Sequence, residues 1–68
     1  MREHIRNMVY ESRQRAGLTQ EELAKLVDVS RQTIIAIEKG NYTPSVLLAL
    51  KISHTFKTTV ELLFTIKK

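Results

Sequence analysis

The stretch Thr19 to Gly40, TQEELAKLVDVSRQTIIAIEKG, constrains the fold of this chain more than any other. Leu23, Ala24 and Val27 fall on one side at helical spacing; after an interruption at Asp28 and Val29, Ile34 and Ile37 do so again. Both runs carry start signals. Thr19, with Glu22 three residues later, has the pattern of a capping box, and Glu21 and Glu22 place negative charge at the positive end of the helix. Ser30 is a cap for the second run. Gly40 stands where a helix closes on a left-handed residue. Two short helices this close in sequence make a tight hairpin. The second leaves Arg31, Gln32, Ile35 and Ala36 on the side opposite Ile34 and Ile37.

The flanks read as a scaffold for that hairpin. Met1 to Ala16 carries Ile5, Met8 and Val9 at helical spacing among Arg2, Arg6, Arg13 and Arg15, which predicts a first helix closed by Gly17. Leu18 then takes the apolar staple position ahead of the Thr19 cap. Asn41-Tyr42-Thr43-Pro44 is a turn by composition. Ser45 caps a fourth helix, VLLALKISHTF, for which Val46, Ala49, Leu50, Ile52 and Phe56 supply a buried stripe, although the segment is apolar over much of its circumference. Thr59 caps a short fifth helix, VELLF, and the tail from Phe64 through Thr65 and Ile66 suits an added strand or a packed extension. The expectation is one all-α domain over residues 1–68, a compact bundle of five helices.

Size limits what else the chain does. A domain of 68 residues buries only about 60% of the surface its unfolded chain exposes. Cysteine is absent, which leaves oligomerisation as the common route to added stability. The chain is 43% hydrophobic and 26% charged, in the range of a folded domain, and its net charge of +4 suits a partner rich in phosphate. His4 and His54 have no acidic or cysteine partner at metal-ligand spacing, so neither a metal nor another cofactor is expected. Glu21 and Glu22 complete a cap and do not form a catalytic pair. With no nucleophile–base set and no glycine-rich phosphate loop, the chain is not expected to be an enzyme. The mixed-charge N-terminus lacks the apolar run of a signal peptide, and no stretch approaches the roughly 20 apolar residues of a membrane span, so a cytoplasmic location is expected.

Read in order, Arg13, Gly17-Leu18-Thr19-Gln20, Glu22-Leu23-Ala24, Val29-Ser30-Arg31-Gln32-Thr33-Ile34, Ile37-Glu38, Gly40, Pro44-Ser45 and Leu50-Lys51-Ile52 through Phe64 resemble the Cro-type (lambda-repressor-like, Xre-like) helix-turn-helix DNA-binding family. The likeness covers nearly the whole chain and is greatest to compact stand-alone members. It implies a transcriptional regulator of double-stranded DNA, a repressor, in a prokaryotic cytoplasm and at the nucleoid when bound. It also implies that the helix 31–39 enters the major groove with Arg31, Gln32, Ile35 and Ala36 towards the bases. There Arg31 suits guanine O6 and N7, Gln32 suits adenine N6 and N7, and Ile35 and Ala36 suit thymine methyls. Thr19, Gln20, Ser30, Thr33, Lys39, Asn41 and Tyr42 match positions near the DNA backbone, where contacts fix register without reading sequence. Arg13 and Glu38 match a structural ion pair. Two residues depart from the family pattern: Asp28 replaces the usual turn glycine, and Ile35 is apolar where a polar residue is commoner.

Leu47 and Leu62 stand at positions where relatives in the resembled family often carry charge, and with Leu63, Phe64 and Ile66 they add apolar area near the C-terminus. They are candidates for the interface of a homodimer on a palindromic operator. The rival expectation is a protein-interaction module of the same fold, an antitoxin or a coactivator-type domain, with a toxin or other protein as its partner. Such a module has no need for Arg31, Gln32, Gln20 and Asn41 to converge on one side.

Overall fold

Each of the four hydroxyl residues placed ahead of an apolar run caps a helix. The computed structural model describes residues 4–67. In chain order it contains β1 (His4–Asn7), α1 (Val9–Ala16), α2 (Gln20–Leu26), α3 (Arg31–Glu38), α4 (Val46–Thr55), α5 (Val60–Leu63) and β2 (Phe64–Lys67). The Thr19 hydroxyl accepts from the Glu22 amide at 3.0 Å while the Glu22 carboxylate accepts from the Thr19 amide at 2.8 Å, a complete capping box. Ser30, Ser45 and Thr59 accept in the same way from the amides of Thr33, Leu48 and Leu62.

Helix ends follow a single pattern as well. Gly17, Asp28, Gly40 and Lys57 all have positive φ. After each, the next amide reaches back to close a Schellman turn: Leu18 to the Arg13 carbonyl, Val29 to Ala24, Asn41 to Ala36 and Thr58 to Ser53. Two of these turns use glycine. Asp28 (φ 61) and Lys57 (φ 55) carry a Cβ in a region that costs an ordinary residue about 1–2 kcal/mol.

The helices enclose one core of Val9, Leu23, Ala24, Val27, Ile34, Ile37, Leu48, Ile52 and Leu63, against which Val29, Phe56 and Phe64 pack. The fourth helix takes a different phase from the expected one. Its buried stripe is Leu48, Ala49, Ile52 and Ser53, while Val46 and Leu50 face solvent. With Val46, Leu47, Leu48, Ala49 and Leu50 all apolar, nothing local sets the rotation of α4, and packing sets it instead. Ser53 is tolerated inside because its hydroxyl donates to the Leu50 carbonyl at 2.9 Å.

The expected all-α architecture requires correction at the N-terminus. The helix predicted over Met1–Ala16 begins only at Val9, and His4–Asn7 forms a strand paired antiparallel with Phe64–Lys67. Residues 1–3 of the predicted helix lie outside the described residues. Asn7 separates strand from helix: its side-chain oxygen accepts from the Val9 amide at 3.1 Å, and its amide nitrogen donates to the Ile37 carbonyl at 2.9 Å. The Met8 amide donates to the Leu63 carbonyl at 2.9 Å, which ties the start of α1 to the end of α5. Register places Ile5 against Ile66 and Asn7 against Phe64, with His4 opposite Lys67 and Arg6 opposite Thr65. The tail thus adopts the strand that was one of its two expected fates.

Candidate nucleic-acid interface

Ile34 and Ile37 are fully buried, and this fixes how α3 is rotated. The helical repeat then turns Arg31 and Gln32 into solvent and leaves Ile35 and Ala36 half-buried beside them. Ala24 is buried where α2 packs with α3 in the core. The turn between the two helices is closed by Asp28 and Val29, and its Ser30 hydroxyl lies 3.1 Å from that of Thr33.

A buried ionic contact holds the far end of α3. The Arg13 Nε donates to Glu38 Oε2 at 2.7 Å and Nη2 donates to Oε1 at 3.2 Å, with side chains only 8% and 6% exposed. Nη1 donates to the Leu18 carbonyl at 2.9 Å, and the guanidinium lies 5.3 Å from the centroid of the Tyr10 ring. The hydrogen bond to Glu38 raises the Arg13 pKa from its ordinary value, outweighing desolvation, so the charge stays on the guanidinium. Among the described residues no buried side-chain nitrogen or oxygen lacks a hydrogen-bond partner. α3 therefore presents its outer face from a clamped position: core isoleucines along one side, a bidentate ion pair at its last residue and the Asn7 bond to Ile37.

Several residues singled out in the sequence meet in space. Thr19, Gln20 and Arg31 line one groove between the starts of α2 and α3, with Gly17 at its edge. Gln20 is half-buried and partly committed, since its side-chain amide donates to Glu38 Oε1 at 3.1 Å. Ser30, Lys39, Asn41 and Tyr42 are exposed and Thr33 is half-buried. Tyr42 lies apart from the first groove, in a second one beside His4, Asn7 and Phe64. Of the apolar residues near the C-terminus, Leu47, Leu62 and Ile66 are exposed, whereas Leu63 is 1% exposed and Phe64 packs partly on the core. Leu63 is consumed by its own chain and has no surface to offer a second copy.

One residue and one contact of this region were missed in the sequence. An asparagine just ahead of an apolar-periodic run is a cap signal, and Asn7 carried it; extending the first helix across it hid the strand. The Gln20 bond to Glu38 had no local signal, because the partners are far apart in the chain. Among the described residues no group of three or more His, Cys, Asp or Glu is placed to hold a metal. None of the described helices is long and apolar enough to cross a membrane.

A helix-turn-helix family model matches residues 9–63. The chain belongs to the Xre/Cro-like helix-turn-helix family. This helix-turn-helix chain is 52% identical over 60 residues to the uncharacterized HTH-type transcriptional regulator YgzD of Bacillus subtilis, covering 88% of this chain and 91% of that one. An uncharacterized HTH-type transcriptional regulator of Archaeoglobus fulgidus is 50% identical over 60 residues, covering 88% and 86%. Among solved structures, the clp gene regulator ClgR of Corynebacterium glutamicum superposes with a TM-score of 0.72 at 27% identity. That match takes in 76% of this chain but 55% of ClgR, so the helix-turn-helix chain spans about half of the larger regulator. The matched region begins at Val9, so β1 lies before it, and β2 lies after its end at Leu63.

Proposed function

We propose that this helix-turn-helix domain is a sequence-specific double-stranded DNA-binding transcriptional regulator, acting as a repressor by occupying a promoter. The observation that carries the proposal is the clamped outer face of α3. Ile34, Ile37 and the Arg13–Glu38 pair hold the helix, Arg31 lines a groove with Gln20 and Thr19, and Gln32 is exposed beside Arg31 in sequence. α3 enters the major groove with Arg31 and Gln32 on base edges and Ile35 and Ala36 against thymine methyls. Thr19, Gln20, Ser30, Thr33, Lys39, Asn41 and Tyr42 line the phosphate backbone on either side.

Two copies bind one palindromic operator. Leu47, Leu62 and Ile66, like Val46, are exposed apolar residues, and a symmetric dimer that buries them places two α3 helices about 34 Å apart, one turn of duplex. Phe64 packs partly on the core and Leu63 is buried in it, so Leu63 drops out of the interface.

A gel-shift titration on fragments selected from random DNA tests the proposal. Retarded complexes whose affinity falls steeply between 50 and 200 mM salt, as expected of several phosphate contacts, support it. The absence of any selected motif, or an affinity insensitive to salt, rejects it.

A further inference from the structure

A cleft of about 550 Å³ opens between α1 and the junction of α4 with α5, away from the face assigned to DNA. Its volume lies within the range of about 300–1,000 Å³ that small-molecule sites occupy. Its apolar lining comes from Met8, Phe56, Leu62 and Leu63, of which Leu62 is exposed and Leu63 buried. The rim is cationic: Arg15 comes from α1 and Lys57 from the turn that closes α4, and no residue lining the cleft is acidic. Among the described residues the ion pairs are Arg13–Glu38 and Lys51–Asp28, so neither rim cation is neutralised by a carboxylate. Ser12 and Thr58 add hydroxyls beside the two charges.

Lys57 closes its helix at φ 55, where Gly17 and Gly40 perform the same task without a Cβ, and from that turn it lines the cleft.

We propose that this cleft binds a small amphipathic carboxylate of the acyl-chain type. Its apolar tail lies on Met8, Phe56 and Leu62, and its carboxylate sits between the Arg15 guanidinium and the Lys57 ammonium. None of its lining residues belongs to the face of α3; Leu62 alone is shared with the surface assigned to the second copy, so the titration is read on the monomer as well as the dimer.

The test is a titration of the intact protein with octanoate, followed by amide chemical shifts, with octanol and acetate as separate arms. Saturable shifts are expected at Ser12, Ala16, Phe56, Thr58 and Leu62. Octanol lacks the charge and acetate lacks the tail, so both bind more weakly. Lys57→Gly relieves the backbone and removes the ammonium, so its melting temperature holds or rises while octanoate binding weakens roughly fivefold, the scale of one exposed charge pair. Lys57→Gly combined with Arg15→Gln weakens it further. Octanol binding as tightly as octanoate, unchanged affinity in the folded double variant, no saturable shifts at millimolar octanoate, or shifts centred on Val46 and Leu50 would each overturn the proposal.

Discussion

Asp28 is the residue whose local cost is easiest to isolate. It holds φ 61 in the turn between α2 and α3, is almost fully exposed, and has one long contact, to Lys51 at 3.9 Å. An exposed pair at that distance contributes little. Asp28→Gly is therefore expected to raise stability by about 1 kcal/mol, or roughly 4–8 °C in melting temperature for a domain of this size, with DNA affinity retained. Calorimetry showing an unchanged or lower transition would contradict this. Glu38 is the opposite case. Removing it leaves the Arg13 guanidinium buried without its counter-charge, and Glu38→Ala should cost about 3–5 kcal/mol. A domain of this length holds roughly 3–10 kcal/mol in total, so urea melts should show it largely unfolded. Arg13→Met with Glu38→Leu should recover most of the loss, since both charges leave together. On the reading face, Arg31→Ala should weaken binding to the selected site by about 1–3 kcal/mol and relax preference at one base pair, read from competition with mutated sites.

Among the elements, the two-stranded sheet depends most on a single side chain. An isolated two-stranded hairpin is marginal in water, and here the strands come from opposite ends of the chain with most of their side chains exposed. Asn7 anchors them, bridging the Ile37 carbonyl at the end of α3 and the first amide of α1. Asn7→Ala strips both bonds and leaves the carbonyl of buried Ile37 and the amide of buried Val9 without a partner, at a cost of about 1–3 kcal/mol. Amide exchange in Thr65–Lys67 should then accelerate well before exchange in α2 or α3. Equal acceleration throughout the domain would show that the sheet and the helices open as one unit.

For the whole molecule, adjacent leucines separate assembly from folding. Leu62 is 70% exposed and Leu63 is 1% exposed. Leu62→Glu should leave the melting transition of the monomer nearly unchanged, abolish sedimentation as a dimer, and reduce binding to a full palindrome towards that of a half-site. Leu63→Ala opens a cavity in the single core and should cost about 2–5 kcal/mol. A dimer that survives Leu62→Glu would move the interface away from this face.

The four caps, the hairpin from Thr19 to Gly40 and the inward set Leu23, Ala24, Val27, Ile34 and Ile37 were all legible in the sequence, while the left-handed turn at Asp28 was expected from the resemblance. Each rests on interactions within a few residues: a hydroxyl and the amide three positions on, a helical repeat, a left-handed closing residue. The Arg13–Glu38 pair was legible through resemblance alone, since nothing local brings the two together. Three features were settled only by the tertiary structure: residues 4–7 as a strand, the rotation of α4 that buries Leu48 and exposes Val46, and the burial of Leu63 beside an exposed Leu62. In each, the local pattern allowed more than one outcome. An apolar run has no intrinsic phase, and a short strand has no stability without its partner. The physical reason is that both acquire their conformation from surfaces distant in the chain, here the C-terminal strand and the shared core.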